Sequence, residues 1–307
     1  PGFINIHIQK EQIVSQIITI LEEDSDFGRT EIGKGRKALV EFVSANPTGP
    51  LTVGHGRGAI LGDVVSNILE WNGYKVEREY YYNNAGRQME RLGLSVQARY
   101  LELLGQAVKF PEGGYEGEYI IEIARDLFKT EGDKLQDTID ISPFTKAAEK
   151  RIFSHIKHTL EQIGLTFDHF FNEQSLYNSG AIDNVIDILK GKKLIYEDDG
   201  ATWFRATAVG REQDRVVIKS SGEPTYRLPD IAYHKDKFER GYDLMIDVLG
   251  ADHMDSYPDV LAAITQMAYS TEKIKVLIHQ FVTLTKNGTP VKMSTRKAQY
   301  VTLDELI

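Results

Sequence analysis

Residues 44–63 read SANPTGPLTVGHGRGAILGD, and the reading of this stretch decides the fold. It follows a short apolar run, ALVEFV at 38–43, and precedes a segment with helical spacing of apolar residues. A strand therefore runs into a Pro/Gly loop and then into a helix. A loop that only reversed the chain would be shorter and plainer. A helix start offers unpaired N–H groups and a partial positive charge, and here Gly54, Gly56 and His55 stand beside it. Glycine lets a ligand approach the backbone closely, and His55 can donate to a phosphate. The stretch reads as an anion seat, and against that stands a plain Gly-rich turn with a surface histidine.

Outward from this junction the pattern repeats. Ile60, Leu61, Val64, Val65, Ile68 and Leu69 mark one helix face, ending near Gly73. YKVEREYYY at 74–82 reads as a strand, and NNAGRQMERLGLSVQARYLELLG at 83–105 as a helix. DLMIDVLG at 243–250 and KIKVLIHQFV at 273–282 are buried-type strands flanking a helical segment, DSYPDVLAAITQMAY. Strand and helix alternate as in a doubly wound parallel α/β sheet, in which ligands bind beyond the carboxyl ends of the strands. LIYEDDGATWFRA and DRVVIKS read as a small hairpin sheet, and Asn287-Gly288 as a hairpin turn. At the start, FINIHI alternates like a strand. Val14, Ile17, Ile18 and Leu21 then space like a helix, and residues 24–37 read as a mobile linker. VTLDELI at 301–307 reads as the start of a helix.

The expected organisation is a strand, helix and linker over 1–36 and a first half of the sheet domain over 37–110. An acidic insertion follows at 111–150, then a second half over 151–282 with the hairpin insertion near 193–219. A basic loop and a helix start close the chain at 283–307. Composition fits a globular enzyme. The 307 residues are 41% hydrophobic and 26% charged, with net charge −9 and no cysteine. Disulfides and thiolate metal sites are excluded, and so is a dedicated basic nucleic-acid coat. No run reaches the length of a membrane span, and a cytoplasmic protein is the default expectation. The chain starts at Pro1 and stops inside an apparent element, so it reads as a fragment of a longer protein.

The segment VKMSTRKAQY at 291–300 places Lys292, Arg296 and Lys297 on a hairpin tip, where a basic loop can close over phosphates. With the 44–55 loop it resembles class I aminoacyl-tRNA synthetases, which carry a His-x-Gly-His motif after the first strand and a Lys-Met-Ser-Lys-Ser loop after the last. EFVSANPTGPLTVGHGRGAILGD, REYYYNNAGRQMERLG, YEGEYI, EPTYRLPDIAYHKDKFERG, VLGADH and KMSTRK narrow this to the arginyl-tRNA synthetases of the bacterial type. The resemblance runs from Gly2 to the last residues. It departs from the class pattern at Thr52, which replaces the first histidine, and at Thr295, which replaces the second lysine.

The resemblance implies a Rossmann-like catalytic domain, split by an insertion, that activates L-arginine with ATP and passes it to the end of tRNA(Arg). It implies Thr52, Gly54, His55 and Lys292 as catalytic residues. ATP falls to Pro47, Thr48, Gly49, Pro50, Gly56, Gly250, Asp252, His253, Met293, Ser294 and Arg296. Arginine falls to Glu41, Ser44, Asn46, Tyr226, Asp230 and His253. Asn84, Gly86, Arg87 and Gln88 would support the pocket or the tRNA end. ATP with Mg2+ is expected as substrate, without zinc or an organic cofactor, in a monomer that needs no membrane. Physical chemistry agrees on one point: a guanidinium calls for carboxylates, and a Glu inside an apolar strand is either at a strand end or paired with a cation. The tyrosines of REYYYNNAGRQ either stack on the tRNA end or pack both strand faces. The alternative to an enzyme is a non-catalytic paralogue that binds arginine or tRNA.

Overall fold

The computed structural model describes residues 2–286, 289–291 and 300–307. In chain order the elements are α1 (Lys10–Glu23), β1 (Lys37–Glu41), α2 (Val53–Trp71), β2 (Lys75–Tyr82), α3 (Gly86–Leu103), α4 (Glu118–Glu131) and α5 (Ser142–Gln162). There follow β3 (His169–Asn172), α6 (Gln174–Asn178), α7 (Ala181–Gly191), β4 (Ile195–Asp198), β5 (Ala201–Phe204), β6 (Arg215–Ile218) and α8 (Arg227–Glu239). The last are β7 (Leu244–Gly250), α9 (Tyr257–Gln266), β8 (Ile274–His279), β9 (Leu284–Lys286) and β10 (Thr289–Val291).

The main sheet has the order β3-β2-β1-β7-β8, and every pairing in it is parallel. β1, at the centre of the sheet, is buried on both faces, which is why it reads as a continuous apolar run. One face carries Val40, Tyr80, Leu92, Phe144 and Ile156, under α3, α4 and α5. The other carries Leu228, Ile231, Val185 and Val260, from α7, α8 and α9. The strand order reverses between β1 and β7, and a crevice opens there beyond the strand ends. β4, β5 and β6 form a separate antiparallel sheet, as the hairpin reading requires. β9 and β10 also pair antiparallel, with Lys286 opposite Thr289; Asn287-Gly288 lie outside the described residues.

Four expectations are corrected. FINIHI forms no strand: residues 3–8 have no partner strand among the described residues and lie exposed. Of the predicted apolar face of α2, Val65 and Leu69 pack against the core, but Ile60, Leu61, Val64 and Ile68 do not. Ile60 and Ile68 are 54% and 55% exposed, while Gly56, Gly58, Ala59, Gly62 and Ser66 are buried. The helix lies so close to β1 that a Cβ at Gly62 would stand 2.1 Å from the Phe42 ring, so small residues make the contact. The second half of the linker is tied to the end of α2, with Gly33 N–H on the Asn72 carbonyl at 2.7 Å and the Thr30 hydroxyl on Asn72 at 2.8 Å. VTLDELI forms a turn rather than a helix. Thr302 bridges Thr52, and Leu303 is buried against Gly56.

Residues 111–150, read as an insertion, contain α4, whose Ile120, Ile123 and Ala124 join the main core.

Candidate active site

The crevice at the strand-order reversal is a cleft of about 870 Å³. Its first wall is the 44–55 loop. The chain leaves β1 through two consecutive residues in the left-handed region, Val43 (φ 69°) and Ser44 (φ 46°). That conformation is costly for a β-branched residue and persists only where surroundings enforce it. Here they do. Ser44 Oγ donates to Glu41 Oε1 at 2.9 Å and accepts Tyr81 N–H at 3.2 Å. Tyr80 OH accepts Ala45 N–H at 3.1 Å and donates to the Ala45 carbonyl at 2.8 Å. Tyr119 OH donates to the Thr48 carbonyl at 2.8 Å.

At the start of α2, His55 Nδ1 lies 3.0 Å from the backbone N–H of Thr52. A backbone N–H only donates, so Nδ1 accepts and the neutral ring carries its proton on Nε2. Burial pushes the His55 pKa down, which favours that neutral form. The ring thus offers one fixed N–H donor into the cleft beside the helix N-terminus. Thr52 is the N-cap residue of α2, so its place in the motif serves the helix start. Gly54 lines the cleft, but Gly56 does not: a Cβ there would meet Leu303 at 2.8 Å.

Beneath the cleft runs a row of carboxylates. Glu79, Glu41 and Asp247 lie side by side in register on β2, β1 and β7, each at most 6% exposed; Glu41 and Asp247 line the cleft, and Glu79 belongs to a separate pocket beside Arg240. α8 crosses this row, and Lys237 within it and Arg240 just past its end supply the cations. Arg240 grips Glu79 with bonds of 2.5 and 2.8 Å, and Tyr233 OH adds a third at 2.6 Å. Lys237 Nζ lies 2.6 Å from both Glu41 and Asp247. Asp247 also receives Tyr257 OH at 2.7 Å and faces His234 Nε2 at 3.0 Å. Burial opposes ionisation of Asp247, but Lys237 and His234 outweigh it and hold the carboxyl well below the usual range. Both alternatives for Glu41 hold: it is the last residue of β1, and it is paired with a cation of the chain itself.

Two carboxylates in the cleft have no such cation among the described residues. Asp230, in the first turn of α8, has no side-chain hydrogen bond or ion pair there. Burial, abetted by Glu41 and Glu173, pushes its pKa up to about 6 against the pull of His234 and His253. Glu173, at the end of β3, receives Tyr81 OH and Asn83 Nδ2 at 2.7 Å each, and burial raises its pKa too. Both await a positive charge.

The structure brings Glu41, Ser44, Asn46, Thr52, Gly54, His55, Tyr226, Asp230, Gly250, Asp252 and His253 to one cleft. Tyr226 caps α8, one turn from Asp230, and is 79% exposed at the mouth. Pro47, Thr48, Gly49 and Pro50 form the loop behind that lining. Gln88 touches the cleft only through Asn46, at 3.3 Å. Asn84 turns to Glu149, Gly86 opens α3 with φ 75°, and Arg87 pairs with Glu223 on the surface. Lys292, Met293, Ser294, Thr295, Arg296 and Lys297 lie outside the described residues.

Sequence reasoning missed Glu173, His234, Asp247 and Tyr257, and it weighed Tyr81 and Asn83 only for the tRNA end; all six are in the cleft lining. A carboxylate just past a short strand was the available signal for Glu173. The three tyrosines pack both strand faces: Tyr80 and Tyr82 against Phe153, Tyr81 against Phe171 and Tyr233.

Comparison with known proteins agrees with this fold. Residues 16–307 match the family described as tRNA synthetases class I (R), catalytic domain. The chain is 56% identical over 307 residues to an arginine–tRNA ligase of Desulfotalea psychrophila, covering all of this chain and 56% of that protein. To the arginine–tRNA ligase of Salinibacter ruber it is 50% identical over 323 residues, covering 58% of that protein. It thus spans little more than half the length of these curated relatives. A crystal structure named as an arginyl-tRNA synthetase of Campylobacter jejuni superposes with TM-score 0.86 at 35% identity, covering 97% of this chain and 66% of that one. Thermus thermophilus arginyl-tRNA synthetase shares the fold, with TM-score 0.70 at 20% identity over 98% of this chain and 55% of that one.

Proposed function

The chain belongs to the family of class I (R) tRNA synthetase catalytic domains, and from that membership we propose that it activates L-arginine with ATP and transfers it to tRNA(Arg). The observation that carries the reading is the pair Asp230, half-buried, and Glu173, buried, two carboxylates without a cation among the described residues that line the same cleft as the His55 donor. A guanidinium fits that seat. It is always charged and presents a planar fork of N–H donors. Tyr81 and Asn83 fix the orientation of Glu173, so the seat is built before the ligand arrives.

In the first step one carboxylate oxygen of arginine bonds to the α-phosphorus of ATP, the bond to the bridging oxygen breaks, and pyrophosphate leaves. The protein's part is to position the reactants and to stabilise charge. His55 Nε2–H and the N-terminal amides of α2 would donate to the phosphate oxygens as negative charge grows on them. Asn46 would hold the amino-acid end. In the second step the terminal ribose hydroxyl of the tRNA attacks the arginyl carbonyl and AMP departs; class membership implies the 2′ hydroxyl. Among the described residues no three His, Asp or Glu side chains group as metal ligands, so Mg2+ would arrive on the phosphates of ATP. Lys292 would complete the phosphate contacts. The reading places the chain in the cytoplasm as a monomer. No described helix is long and apolar enough to cross a membrane.

The test is arginine-dependent ATP–pyrophosphate exchange with cognate tRNA present and lysine as control. Exchange with arginine alone is expected. Arginine binding without exchange would favour the non-catalytic paralogue, and exchange with lysine would refute the assigned substrate.

A further inference from the structure

Lys237 has no part in the chemistry just described, yet it sits under the cleft. It is 0% exposed, the largest fully buried charged side chain among the described residues. Its ammonium bridges Glu41 and Asp247 at 2.6 Å each and stands 4.2 Å from the centre of the Tyr233 ring. Both carboxylates line the cleft, and they face one another across β1 and β7 in register. Without Lys237 they would form a ready seat for any compact ammonium ion. With it, the seat is filled by the protein's own side chain.

We propose that Lys237 is the resident counter-cation of the pocket: by occupying Glu41 and Asp247 it leaves Asp230 and Glu173 as the carboxylates open to a ligand, and so sets which cation the pocket selects. The inference rests on the arginine reading for the ligand, but not for the ion pairs. An ammonium and a guanidinium ask for different seats. The ammonium is a compact point charge that fits between two converging carboxylates, whereas the guanidinium is a flat fork. The first seat is closed from within and the second is open. Lysine is thereby excluded by a group of its own kind. Burial works against the charge on Lys237, but Asp247 and Glu41 outweigh it and hold its pKa above the ordinary lysine range.

The experiment uses Lys237→Ala in the protein at its natural length. The side-chain atoms beyond Cβ correspond to n-propylammonium, so n-propylammonium chloride is the probe and tetramethylammonium chloride at equal concentration is the control. Thermal unfolding and calorimetric titration with L-arginine and L-lysine are measured. The variant is expected to melt lower, and n-propylammonium, not tetramethylammonium, to raise its midpoint by about 3 °C or more, with no such difference in the wild type. Its preference for arginine over lysine is expected to fall by about tenfold or more. No ammonium-specific rescue, or an unchanged preference, overturns the proposal. A wild type with no affinity for arginine refutes the arginine reading, while the ammonium rescue still decides the counter-cation role. Should Lys237→Ala fail to fold, Lys237→Met is compared with Lys237→Met/Glu41→Gln. Recovery of the midpoint by the second change supports the proposal, and a double variant no better than the single one overturns it.

Discussion

The two walls of the cleft are built in opposite ways. The phosphate side is local: within ten residues of Ala45, a strained turn, an N-cap and a histidine place one N–H donor at a helix start. The cation side is global. Its carboxylates come from β1, β3, β7 and α8, and the cation that fixes two of them is 196 residues from Glu41 in sequence. A local site depends on backbone conformation and caps. A global site depends on charge balance, because unpaired carboxylates in a dry floor repel one another and an added cation decides which of them stay open. One wall should therefore respond to substitution mainly in rate, and the other in affinity and selectivity.

The largest expected effect is on the cation side. Asp230→Asn should weaken arginine binding by about 100-fold or more, since a charge-assisted contact in a desolvated seat is lost. Titration calorimetry reads this, with ATP affinity as the unchanged control. The same substitution should stabilise the fold. The folded carboxyl titrates near 6 against an ordinary 3.8, so ionised Asp230 costs stability above that range. The cost is absent below about pH 3.8, grows between there and pH 6, and stays constant above. Asp230→Asn should thus gain about 1–3 kcal/mol at pH 7 and nothing at pH 3.5, measured by denaturant unfolding. A loss of stability at pH 7 would break the contrast between the walls.

Next comes the phosphate side. His55→Ala should slow adenylate formation by about 100-fold, as removal of an oriented donor to developing charge does, while leaving the arginine dissociation constant within about twofold. Single-turnover kinetics and calorimetry together separate the two. A parallel loss of arginine affinity would mean that the walls are one unit.

Gly62→Ala probes the packing that carries the loop. The new Cβ would collide with the Phe42 ring, so α2 must lift from β1, and a loss of about 2–3 kcal/mol is expected on urea unfolding. Thr52→Ala is the smallest. It removes an N-cap side chain, for about 1 kcal/mol, and leaves the His55 acceptor bond to the backbone intact. The melting temperature should fall by a few degrees at most with the exchange rate nearly preserved. A large rate loss would make Thr52 a phosphate contact instead.

The sequence alone determined the alternation of strands and helices, the loop at the end of β1, the small antiparallel sheet and most of the cleft's first wall. These are properties of neighbouring residues: apolar period, turn chemistry and the demands of a helix start. It also set Glu41 either at a strand end or beside a cation, and both hold. Only the tertiary structure decided that the cation is Lys237, that Glu173 faces Asp230, and that α2 buries its glycines rather than its isoleucines. The reason is the same in each case. Periodicity says that a helix has an apolar face, but the distance between helix and sheet decides whether large or small side chains fit the contact. Composition says that a buried carboxylate needs a partner, but the strand order and the register of β1 against β7 decide which one reaches it.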